Sequence, residues 1–122
     1  MNHKMFEGQI KASPEKRYKS FLNTVADLQQ VWLLGNDEGE TTTFDFDGYI
    51  HIALWPREEF CYLLKTQEHE KPISMEIHDF LDACMAFDES IRFMVFPTTK
   101  DSYIVSTADL CADIMEHLDE VE

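Results

Sequence analysis

Between Tyr18 and Ala26 the apolar residues Tyr18, Phe21, Leu22, Val25 and Ala26 stand at i, i+3, i+4, i+7 and i+8, whereas Ile50, Ile52 and Leu54 alternate with Tyr49, His51 and Ala53. That change of period constrains the fold more than any other feature. A stripe of period 3.6 buries itself as one face of a helix, whereas alternation buries one face of a strand. Ser13-Pro14 marks the helix entry, because a serine oxygen accepts from the free amides of the first turn and proline suits the first helical position. The helix is predicted to end near Gln29. Val31 to Leu34 then form a short apolar run closed by the turn-rich segment Gly35 to Gly39. Thr41 to Phe46 are β-branched and aromatic, Asp47-Gly48 is a hairpin signal, and Tyr49 to Leu54 complete a three-stranded meander. Ile50, Ile52 and Leu54 are placed on the core face of its last strand.

Trp55-Pro56 ends that strand, since proline holds its predecessor extended, and opens a short helix carrying Phe60, Leu63 and Leu64. After a polar link through Lys71-Pro72, Ser74 reads as the cap of a third helix with Ile77, Phe80, Leu81, Cys84 and Met85 on its core stripe. Ile91 to Phe96 read as a central strand that pairs as a hairpin with Tyr103 to Val105. Ser106 and Asp109 resemble a capping box for a last helix, with Leu110, Ile114 and Leu118 on its stripe and Cys111 and Met115 beside it. The order α-βββ-α-α-ββ-α predicts a two-layer α+β fold, with about four helices on a five-stranded, mainly antiparallel sheet. A chain of 122 residues suits one core, so residues 13–122 are expected as a single domain behind a loose arm or short edge element at 1–12.

Charge narrows the range of partners. Residues 1–19 hold five basic residues against Glu7 and Glu15, a balance of +3, and the rest of the chain carries the remainder of a net −14. Such a field repels phosphate backbones and anionic headgroups, which need clustered Lys or Arg, so neither nucleic acid nor membrane is an expected partner. It favours encounter with a basic protein, or with the basic segment of a second copy in a homo-oligomer. Three well-separated cysteines, Cys61, Cys84 and Cys111, suit reduced thiols, and the N-terminus lacks the apolar stretch of a signal peptide. Cytoplasmic residence is the expectation.

The residues with chemical potential assemble into no catalytic motif. Counted from Asp45, the Asp45-Phe46-Asp47-Gly48 segment reaches Pro56 where a calcium loop needs its terminal carboxylate. None of the five histidines stands three to five residues from another histidine or a cysteine, so no local zinc cluster is written, and Glu68-His69-Glu70 reads as a solvated loop. His51 is assigned either to the exposed sheet face or to a place under a helix. Gly8, Gly35, Gly39 and Gly48 are spaced as turn residues rather than as a phosphate loop. No catalytic residue, metal site or cofactor is therefore expected, although a Cys-His pair assembled in space stays open. The most distinctive local segment is Leu54-Trp55-Pro56-Arg57-Glu58-Glu59-Phe60, where a helix start and Arg57 would favour an anion. The alternative is architectural, with Trp55 plugging the core and Arg57 paired to an acid. Phe96-Pro97 ends a second strand, at what reads as the same edge.

An early Arg17-Tyr18-x-x-Phe21 helix, Val31-Trp32, the Leu54-Trp55-Pro56 junction with Phe60, and a late Phe96-Pro97 occur in that order. In this the chain resembles the bacterial family catalogued as Domain of Unknown Function 2750, over about Arg17 to Leu118. The resemblance implies a small stand-alone protein with no established activity, ligand or catalytic residue to carry over. It also implies a recurrent Trp in the third helix, where this chain has Cys84-Met85-Ala86. The candidate binding residues are Trp32, Trp55, Arg57 and Phe96. The expected function is a non-enzymatic, acidic protein-interaction module, immunity-like or antitoxin-like in one version. The alternative is a small-molecule domain that binds an anionic ligand at Trp55-Pro56-Arg57.

Overall fold

Ser13 accepts from the Lys16 amide at 3.3 Å, Pro14 takes the first helical position and Gln29 closes the last turn in the left-handed conformation, so the helix read from the apolar stripe runs Pro14–Leu28. The computed structural model describes residues 3–65 and 67–121. Along it run α1 (His3–Lys11), α2 (Pro14–Leu28), β1 (Gln30–Gly35), β2 (Thr43–Phe46), β3 (Tyr49–Leu54) and α3 (Glu58–Cys61). There follow β4 (Lys71–Glu76), α4 (Ile77–Cys84), β5 (Ile91–Val95), β6 (Tyr103–Ser106) and α5 (Thr107–Val121). The fold is α+β, and its buried apolar residues form one cluster to which α2, α3, α4, α5 and strands β1, β3, β5 and β6 contribute.

The sheet differs in detail from the expected five strands. Among the described residues there are two sheets, β1-β4 and β2-β3-β5-β6. The first strand of the expected meander touches the second only through a bridge at Gly35 and Thr41, and pairs instead with β4 in antiparallel register, Val31 opposite Met75 and Leu33 opposite Ile73. β4 occupies the segment read as a polar link, and Ser74 lies within it; the cap of α4 is Glu76, whose carboxylate accepts from the amides of His78 and Asp79. Pro72 masked this strand, since proline is tolerated only where a strand has a free edge, which β4 has. Gly35 is required where the chain leaves β1: a Cβ there would meet the Ile73 side chain and, at 2.8 Å, the Glu40 carbonyl.

The hairpin β2-β3 forms on Asp47-Gly48, both with positive φ (53° and 79°). β3 and β5 are parallel, Ile52 opposite Phe93, so the chain between them must cross over, and α3, β4 and α4 make that crossover. Lying centrally, β3 is buried on both faces from His51 to Leu54, while Ile50, expected in the core, sits at its exposed start. β5 and β6 pair antiparallel, and Ser106 caps α5 through the Asp109 amide at 3.1 Å. Residues 3–11, expected as a loose arm or a short edge element, are helical. Phe6 stacks on Phe60 at 4.9 Å and Ile10 packs on the core beside it, an i, i+4 pair too short to stand out as a stripe.

Candidate functional site

The four residues singled out in the sequence separate into a knot and an outlier. Trp32 and Trp55 exchange backbone hydrogen bonds at 3.0 and 2.9 Å, which joins the two sheets edge to edge. Trp55 is fully buried, and its indole N–H donates to the Pro97 carbonyl at 3.0 Å. Phe96 is also fully buried; its amide donates to the Leu54 carbonyl at 2.7 Å, and its ring lies 4.6 Å from that of Phe60. Phe96 holds φ of 50°, a left-handed conformation that costs a non-glycine residue on the order of 1 kcal/mol or more, so its surroundings must over-determine it. Arg17 does much of that. Buried to 2 % exposure, its guanidinium donates to the Phe96 carbonyl at 3.0 Å, to the Asp101 carbonyl at 3.3 Å, to the Ala12 carbonyl and to the Asp101 carboxylate.

The buried groups of Arg17, Trp55 and Phe96 are occupied by their neighbours, so this end of the sheets is joinery, with the Trp32 side chain half-buried against the core. Arg57 is the outlier, exposed at the start of a four-residue α3 and making no side-chain capping bond. A helix that short offers an anion little dipole, and Trp55 turns its polar atom inward. Sequence reasoning missed Arg17 as the organiser, although an arginine beside the core stripe residue Tyr18 was the available signal.

A concavity of about 1000 Å³ lies elsewhere, between α4 and α5. Leu81, Cys84 and Met85 reach it from α4 and its C-terminal end, Cys111 and Met115 from α5. Met85 is 85 % exposed and Met115 50 %, so residues read as core stripe, or as lying beside it, are open to solvent. α5 carries a stripe wider than its core needs: Leu110, Ile114 and Leu118 are buried, and the neighbouring row Cys111 and Met115 is left over. Asp82, Asp88 and Glu89 stand on the rim. The Ser90 hydroxyl and then its amide donate to Asp88 and hold its carboxyl below the usual range, so it is charged in neutral solution. Arg92, the cation of the groove wall, lies 3.5 Å from the centre of the Tyr49 ring.

Two thiols meet on the floor. Cys84 donates its S–H to Cys111, which lowers the Cys111 pKa, against its burial, and raises that of Cys84, where burial adds to the rise. Cys61 lies fully buried in the core, and burial, aided by Glu58, pushes its thiol up to about 12. His51 is buried, its Nδ1 3.1 Å from the Phe44 carbonyl and its ring stacked 3.7 Å from that of Phe46. Glu70, read as loop, is buried and accepts from the Thr42 hydroxyl at 2.9 Å. Among the described residues no group of three His, Cys, Asp or Glu side chains is placed to hold a metal ion, and no helix is long and apolar enough to cross a membrane.

Residues 18–114 match the family model described as "Protein of unknown function (DUF2750)". No curated protein matches the chain.

Proposed function

We propose, for a chain that belongs to the DUF2750 family of proteins of unknown function, that it is a non-enzymatic interaction module whose α4-α5 groove receives a cationic, amphipathic segment of a partner protein. The observation that carries this reading is the coincidence of exposed Met85 and Met115 over an apolar floor with Asp82, Asp88 and Glu89 on the rim. Methionine is unbranched and polarisable, so it fits an apolar face without demanding one shape. The acidic rim, within a chain of net charge −14, steers a cationic segment in and penalises an anionic one. A basic toxin held by an immunity-like or antitoxin-like protein is one partner of this kind. A second copy offering its basic residues 1–19 is another, and light scattering at low and high salt separates the two.

The test uses a synthetic helical peptide with leucines on one face and lysines on the other, titrated by fluorescence anisotropy at low ionic strength. Met85→Lys is expected to weaken binding about tenfold or more, equivalent to about 1.4 kcal/mol. Leu28→Lys carries the same charge change at an exposed apolar residue of α2 outside the groove, and should weaken it far less. Equal weakening by both variants would mean that the peptide responds to overall charge alone, and the groove reading fails.

A further inference from the structure

Cys84 ends α4 and Cys111 lies in the second turn of α5, so two helices distant in sequence bring two neighbouring thiols to the lining of one groove. Both line the groove floor, Cys111 half-buried and Cys84 beneath it. Two neighbouring thiols lining an open concavity, the Cys111 thiol only half-buried, have access to oxidant and to each other. We propose that Cys84 and Cys111 are a peroxide-sensitive thiol pair that closes to a disulfide linking α4 to α5. The pair rests on the placing of both thiols in the lining of one open groove, and does not depend on which partner the groove takes.

The chemistry balances with a hydroperoxide as oxidant. Cys111, the more exposed sulfur, is the attacking thiolate, because the Cys84 S–H hydrogen bond favours its charged form. Its sulfur attacks the terminal peroxide oxygen: an S–O bond forms, the O–O bond breaks, and the leaving alkoxide takes a proton to depart as alcohol, or as water from hydrogen peroxide. Cys111 is then a sulfenic acid. Cys84 attacks the sulfenic sulfur, an S–S bond forms, the S–O bond breaks, and the departing hydroxide takes the Cys84 proton and leaves as water. The two thiols lose two electrons and two protons, and the peroxide is reduced. Cys61, fully buried and pushed up to about 12, serves as an internal control.

The experiment treats the reduced full chain with hydrogen peroxide, alkylates the remaining thiols after unfolding, and maps the cysteine peptides by mass spectrometry. The expected result is loss of two hydrogens, a single alkylated cysteine at Cys61, and a Cys84-Cys111 cross-linked peptide that dithiothreitol releases. In Cys84→Ser, a sulfenic acid trapped by dimedone on Cys111 is expected, and the wild-type peptide map decides the matter should that variant not fold. Three alkylated cysteines, a bridge between chains, a bridge to Cys61, or sulfinic acid on Cys111 with Cys84 still free would each overturn the proposal.

Discussion

Cys61 and Tyr18 show how burial sets what a single residue does. The Cys61 thiol is neutral in the folded chain until its pKa of about 12, whereas an unfolded thiol ionises near about 8.5. The folded state therefore binds more protons above pH 8.5, and stability falls as pH rises from there towards 12. Denaturant unfolding across this range should show a loss of about 2 kcal/mol at pH 10 from Cys61, beside a loss of the same sign from the raised Cys84 thiol, and Cys61→Ala should remove the Cys61 share and make the slope shallower. A parallel pH dependence in the variant would disprove the assignment. Tyr18, raised by burial and then by donating its hydroxyl to Asp113 at 2.6 Å, adds a loss of the same sign only at still higher pH.

Among elements, the decisive joint is between α2 and the turn after β5. Arg17 leaves α2 and satisfies carbonyls at Ala12, before its own helix, and at Phe96 and Asp101, across the molecule. Truncation would leave those acceptors without their donor and release a residue held in a left-handed conformation. Arg17→Met is expected to cost about 3 kcal/mol, the scale for breaking a buried charge-assisted network. Asp101→Asn should cost less, because Asp101 is half exposed and its backbone carbonyl still accepts from Arg17. Urea titration of the two variants ranks them, and an equal cost would show that the ion pair, rather than the carbonyl contacts, closes the joint.

At the scale of the whole molecule the net charge of −14 acts on the fold as well as on partners. Like charges on a folded chain lie closer together than on an unfolded one, so self-repulsion opposes folding and salt relieves it. The thermal midpoint followed by circular dichroism should therefore rise with sodium chloride, by about 5 °C for each kcal/mol relieved. A flat or falling midpoint would mean that local pairs such as Lys71 with Asp37 already offset the repulsion.

The sequence by itself determined the features that depend on neighbouring residues. The stripe and cap of α2, the Asp47-Gly48 hairpin, the β5-β6 pairing, the Ser106 start of α5 and so the α+β class all rest on short-range periodicity and turn chemistry. Only the tertiary structure decided what rests on distant partners. β1 left its neighbour β2 for β4, Phe6 found Phe60, and Trp55, read either as a ligand contact or as a plug of the core, went fully inside, because strand pairing and burial depend on which surface arrives opposite. The groove is the clearest case. Cys84 and Met85 were placed on a core stripe and Cys111 and Met115 beside one; Cys84 is buried as expected, but α4 and α5 meet without covering Met85 and Met115, and no periodicity within one helix can say whether a second helix covers its face.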